Sequence, residues 1–143
     1  MEELLENLTI DSRKTDDLTG SGENSAFDKI KSQANELFMK KDYESAIHMY
    51  KKALELQPDS AVIHLNLAQA YLNTGYFFDA LPEAKLGLHL GGDKKKALYR
   101  AGKAAYGLCL WEEAVKFFGD LLAEDPNVIV WKNELKKSKA RLH

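Results

Sequence analysis

The chain holds a single cysteine, Cys109, so no intrachain disulfide can form. That usage fits a reducing compartment. No apolar run approaches the ~18 residues a membrane span needs, and the N-terminus lacks the basic-then-apolar pattern of a signal peptide. A cytoplasmic or nucleocytoplasmic protein with no membrane partner is therefore expected. Catalytic signatures are missing too. Gly20-Ser21-Gly22 precedes no phosphate-binding lysine, so no nucleotide-cradling loop is present. His48, His64, His89 and His143 form no i, i+4 pair and have no cysteine partner. His64 is expected to be a packing or surface histidine, and Cys109 a half-buried structural thiol near a turn. Glu112-Glu113 opens a helix, where acids favour the dipole. No metal, no cofactor and no enzymatic activity are expected.

A surplus of charge is absent as well. The formal net charge is −2, which opposes general nucleic-acid binding. The average hides a division, because residues 1–26 carry seven acids against two bases and the remainder is left at +3. Any anion-binding site belongs in that remainder. The acidic leader, with its flexible Thr19-Gly20-Ser21-Gly22, reads as disordered. Beyond it, 45% hydrophobic and 29% charged residues suit one packed domain.

From Phe27 onward the chain repeats with a period of 34 residues. Small residues recur at Ala34, Ala68 and Gly102, and at Ala46, Ala80 and Ala114. Aromatics recur at Tyr43, Phe77 and Trp111, and aliphatics at Ile47, Leu81 and Val115. Pro58, Gly92 and Pro126 close the units. Each unit reads as two helices and a short turn. In the first, Ile30, Leu37 and Phe38 stand at helical spacing, Lys40-Lys41-Asp42 turns, and Ala46, Ile47, Tyr50 and Ala53 form the second stripe. Asp59 or Ser60 can cap the third helix and Asp93 the fifth. One unit cannot bury its apolar face alone, so the units must stack. The tail places Val128, Val130, Trp131 and Leu135 toward the last unit, with Lys136, Lys137, Lys139 and Arg141 outward. That makes a capping helix.

The polar residues outside this core pattern are Lys31, Asn35, Asn66, Lys96 and Arg100. Lys31 and Asn35 lie four apart on one helix, as do Lys96 and Arg100, so each pair shares a face. The steps Asn35 to Asn66 and Asn66 to Lys96 are 31 and 30 residues. Each lands on the matching helix of the next unit, one turn earlier, on the same face. With helices ~8–10 Å apart, the set spans roughly 20 Å, the reach of an extended peptide of five or six residues. All five side chains donate hydrogen bonds, three are cationic, and none is an acid. Two fixed cationic positions on different helices call for a ligand with two carboxylates.

These columns resemble the tetratricopeptide-repeat family. The resemblance implies an all-α, right-handed α-solenoid. Residues 1–26 would be the leader and residues 27–126 three repeats, at about 27–60, 61–94 and 95–128. Residues 127–143 would be the capping helix. Within the family, Lys31-Ser32-Gln33-Ala34-Asn35, Leu65-Asn66-Leu67-Ala68 and Lys96-Ala97-Leu98-Tyr99-Arg100 are similar to the two-carboxylate clamp of co-chaperone domains. Ala34 stands where glycine is usual and Leu67 where arginine is common. The resemblance implies a monomeric adaptor for the Glu-Glu-Val-Asp carboxyl terminus of heat-shock protein 90 or heat-shock protein 70. Lys31, Asn35 and Asn66 would hold the terminal carboxylate, and Lys96 and Arg100 the aspartate side chain or nearby backbone. Phe38 would line the pocket for an apolar ligand residue, and Lys103 would meet upstream glutamates. Two alternatives stand beside this. One is an interaction module of a larger peptidyl-prolyl isomerase, phosphatase, ubiquitin ligase or methyltransferase; the other is a scaffold for an unrelated peptide.

Overall fold

The computed structural model describes residues 25–142. Among these residues seven helices follow one another and no strand occurs: α1 (Ala26–Met39), α2 (Tyr43–Leu56), α3 (Ala61–Thr74), α4 (Phe77–His89), α5 (Lys94–Gly107), α6 (Trp111–Glu124) and α7 (Ile129–Arg141). The acidic leader expected over residues 1–26 falls outside the described residues as far as residue 24.

Short polar side chains start four of the helices by accepting from an orphan backbone N–H of the first turn. Ser25 accepts from Asp28 at 3.0 Å and Asp42 from Ser45 at 3.3 Å. Ser60, of the two residues able to cap α3, accepts from Ile63 at 3.3 Å, and Asp93 accepts from Lys96 at 3.1 Å.

The turn inside each helix pair is the same device used three times. Lys41, Gly75 and Cys109, spaced at the repeat period, adopt left-handed φ angles of 67°, 80° and 63°. Directly after them, the amides of Asp42, Tyr76 and Leu110 donate to the carbonyls of Leu37, Tyr71 and Ala105 at 2.9, 2.8 and 2.9 Å. This is the capping geometry that glycine suits, because it has no Cβ to clash. Only the middle turn has glycine. Cys109 is accordingly exposed and not the half-buried thiol expected from the sequence; a residue held left-handed at a turn apex projects away from the helix pair. The conformation costs an L-residue ~1–2 kcal/mol, partly offset by its lower unfolded-chain entropy. Cys109→Gly should therefore stabilise the chain by about 1 kcal/mol, read in a thermal melt as a rise of ~4 °C.

Small residues let the helices approach closely. Ala34, Ala46, Ala68, Ala80 and Ala114 have no exposed surface. At Gly102 a Cβ would stand 2.6 Å from the ring of Phe118, which is itself sealed in the core. Aromatic pairs close the first and third units, Phe38 on Tyr43 at 5.1 Å and Tyr106 on Trp111 at 5.0 Å, both edge-on. One core runs through α1–α4 and reaches Ala101 and Ala104 of α5. A second joins α5, α6 and α7 around Phe118, Leu121 and Trp131. Consecutive helices pack on one another, and α3 also meets α5. The result is an α-solenoid in which α1, α3 and α5 line one side, with α7 packed against α6 at the end. The basic run on α7 stays exposed, while Lys137 and Arg141 lean over the rings of Tyr106 and Trp111 at 5.6 and 4.7 Å.

Candidate functional site

The 31-residue step is a physical contact. Asn66 Nδ2 on α3 reaches Asn35 Oδ1 on α1 at 3.4 Å. The same step recurs twice further along. Arg100 Nε on α5 donates to Gln69 Oε1 on α3 at 3.0 Å, and Lys103 Nζ donates to Glu134 Oε2 on α7 at 2.8 Å. One row of polar side chains therefore crosses α1, α3, α5 and α7; Asn35, Asn66 and Arg100 belong to it, and Lys31 and Lys96 stand one turn before Asn35 and Arg100 on α1 and α5.

Their depth exceeds what an exposed surface row would show. Lys31 is 7% exposed, Asn35 9%, Asn66 0% and Arg100 2%, with Lys96 half-buried one turn before Arg100. Buried donors act at low effective dielectric, so each is worth more to an anion it reaches than the same group on an open surface.

The interior behind the row sets its orientation. The Tyr50 hydroxyl, on α2, donates to Asn35 Oδ1 at 2.5 Å. Burial pushes this phenol far above its usual range, outweighing the opposing influence of Arg100 and the Asn66 hydrogen bond, so it remains a donor. With Oδ1 accepting from both Tyr50 and Asn66, the Asn35 Nδ2 group is left to donate to a ligand. Arg100 is fixed in the same manner. Its Nη1 donates to the Leu65 carbonyl at 3.1 Å, next to Asn66, while Nε holds Gln69. Gln69 in turn donates to Asn73 at 2.7 Å, which orients its oxygen toward Arg100. Lys31 lies 5.9 Å above the Phe27 ring. The row is thus pre-organised before any ligand arrives.

The two further groove residues expected from the sequence both have partners within the chain. Phe38 is 1% exposed and packs edge-on against Tyr43, at the same depth as Asn66 and Arg100. Lys103 is engaged by Glu134, so its ammonium already has a carboxylate partner. Tyr50, Gln69 and Glu134 escaped the sequence reading. Gln69 and Glu134 stand one 31-residue step from Arg100 and Lys103, a signal that was present; Tyr50 sits in a column that reads as core.

His64 is a packing histidine with both ring nitrogens committed. Nδ1 meets Glu83 Oε1 at 2.6 Å and Nε2 meets the Pro58 carbonyl at 2.7 Å. Both partners are acceptors, so the doubly protonated ring satisfies both. The Glu83 hydrogen bond raises the pKa above 6.5 despite burial, with the Pro58 carbonyl assisting. A raised folded-state value contributes stability that is fully present below pH ~6.5 and is lost as pH rises through the folded value. Denaturant unfolding between pH 6 and 8 should show stability falling with pH, and Glu83→Gln should flatten that slope. Among the described residues no cluster of three His, Cys, Asp or Glu could hold a metal, and no helix is long and apolar enough to cross a membrane.

A family model described as TPR repeat matches residues 34–75. The chain is 32% identical to the first TPR domain of the human RPAP3 protein, covering 79% of this chain and 89% of that one with a TM-score of 0.71. The second TPR domain of human RPAP3, solved in complex with the HSP70 peptide SGPTIEEVD, is 29% identical, with 77% and 92% covered and a TM-score of 0.72. The first TPR of Spaghetti (RPAP3), solved bound to the HSP90 peptide SRMEEVD, is 29% identical, with 93% and 96% covered and a TM-score of 0.76. Serine/threonine-protein phosphatase 5 of Rattus norvegicus is 33% identical over 100 residues, 70% of this chain and 20% of that protein. The chain spans a fifth to a third of the length of the curated relatives it matches first. With a solved domain 32% identical along 89% of its own length, and the helix pairs and repeat-spaced turns described above, the chain belongs to the tetratricopeptide-repeat family.

Proposed function

We propose that this chain is a co-chaperone adaptor module whose groove holds the carboxyl-terminal tail of HSP90 or HSP70. In this reading the terminal carboxylate accepts from Lys31, Asn35 Nδ2 and Asn66. A second carboxylate, the side chain of the final aspartate, lies against Lys96 and Arg100. The observation that carries it is the locked amide of Asn35, braced by Tyr50 and Asn66 and set in one row with Arg100. The row carries two cationic positions on separate helices, which suit two carboxylates. Two domains of similar sequence and matching fold, solved with the tails SRMEEVD and SGPTIEEVD, support the same reading.

The proposal concerns a module, and residues 25–142 are given no catalytic role in it. The relative among phosphatases is five times longer than the matched stretch, so any activity linked to this groove would reside in other regions. Titration with SRMEEVD, with SGPTIEEVD and with a scrambled peptide of the same composition tests the reading. One-to-one binding of at least one chaperone tail, weakening as salt screens the groove, is expected. Equal affinity for the scrambled peptide would overturn it.

A further inference from the structure

The polar row does not end at the expected clamp. Its last step, from Lys103 to Glu134, reaches the capping helix, so α7 places a carboxylate at the end of the row. Glu134 is 3% exposed, and each oxygen has its own lysine: Oε2 takes Lys103 Nζ and Oε1 takes Lys137 Nζ, both at 2.8 Å. Burial would push the carboxyl upward. The hydrogen bonds and charges of Lys103 and Lys137 outweigh that and hold it below its usual range, so it remains an anion. The Ser138 hydroxyl donates to the Glu134 carbonyl at 2.8 Å, one turn along the same helix. Lys103 also lies 6.0 Å above the Tyr99 ring, which together with Glu134 fixes where its ammonium stands.

A ligand anchored by its terminus at α1 and α3, with its second carboxylate at α5, must continue toward α7. At ~3.3–3.6 Å per extended residue and ~8–10 Å per helix, the third and fourth residues from the terminus arrive beside Lys103. In a chaperone tail both are glutamates. We infer that Glu134 is a specificity-determining residue: an internal carboxylate that occupies Lys103 and so removes the module's reward for acidic residues upstream of the ligand terminus. The groove then reads the two terminal carboxylates and is indifferent to upstream charge. A ligand glutamate arriving there meets a lysine already neutralised and a buried anion behind it.

This inference rests on the adaptor reading, and the experiment separates the two. Peptides ending in MEEVD and MQQVD are titrated against the unaltered chain, each as free acid and as terminal amide. The expected result is affinity for the two acids within about twofold, with both amides much weaker. Glu134→Gln is then expected to favour MEEVD over MQQVD about tenfold, the change one charge-assisted hydrogen bond provides. Adding Lys103→Met to Glu134→Gln should abolish that preference. Amides that bind as well as acids would overturn the adaptor reading itself. Amides that fail while the unaltered chain already prefers MEEVD fivefold or more would overturn the Glu134 inference alone. So would a folded Glu134→Gln chain, checked by its thermal melt, that gains no preference. The comparison on the unaltered chain needs no variant and stands even if Glu134→Gln does not fold.

Discussion

Arg100→Ala should weaken binding of a chaperone tail by at least tenfold and lower the melting temperature by about 10 °C, the largest combined effect of any single substitution in the groove. Arg100 serves two ends at once. Its guanidinium is proposed to receive the ligand's second carboxylate, and it is also the bolt between α5 and α3 through Gln69 and the Leu65 carbonyl. Removing it leaves a buried carbonyl and a buried amide oxygen each without that donor, at ~1–3 kcal/mol apiece, besides the space the side chain filled. Roughly 3 kcal/mol in a domain of this size corresponds to the stated shift. Arg100→Lys separates the two roles. It retains the charge but not the rigid fork, so part of the affinity should return while most of the lost stability does not. Thermal melts and peptide titrations on both variants, at a temperature where each is folded, measure the two effects.

Asn35→Asp should do the opposite, abolishing binding while sparing the fold. The replacement is nearly the same shape, and a carboxylate accepts from the Tyr50 hydroxyl and the Asn66 amide as the asparagine oxygen does. Lys31, one turn earlier on α1, gives the new charge a neighbour. What is lost is the Asn35 amide donor proposed to face the ligand, and what replaces it is an anion facing another anion. Like-charge juxtaposition in a desolvated site costs several kcal/mol, so affinity should fall a hundredfold or more. The melt should shift by only a few degrees. A hundredfold loss of binding without a matching loss of stability is a result that general damage to the domain does not produce.

The sequence made the repeat and its register legible because both are periodic. A period of 34 marks small residues where helices cross, and a step of 31 marks one turn back on the next matching helix. The Asn35–Asn66 contact and the Gln69–Arg100 bond obey that arithmetic. Depth was not legible. Periodicity tells which face of a helix a residue occupies but not how far the neighbouring helix covers it. The sequence places Phe38 on the groove side of α1 but does not show that Tyr43 packs edge-on against its ring. Cys109 was misplaced for a different reason. Its chemistry as a thiol points to packing, while the column Lys41, Gly75, Cys109 carries the information that a left-handed turn lies there. Glu134 was hidden by the boundary drawn after the third repeat. The apolar side of the capping helix gives no sign of it; only the step of 31 from Lys103 does. Tyr50 had no sequence signal of its own, since an aromatic at that position serves the core equally well.

Everything proposed for this groove turns on recognition of a peptide's terminal carboxylate. Calorimetric titration of the unaltered chain with SRMEEVD as free acid and as C-terminal amide tests it most directly. Amidation removes one negative charge and leaves every side chain of the ligand in place. The expected outcome is saturable one-to-one binding of the acid and a loss of at least tenfold for the amide, since several donors lose their shared acceptor. Equal affinity for the two forms would contradict the account, because Lys31, Asn35 and Asn66 would then be holding something other than a chain terminus.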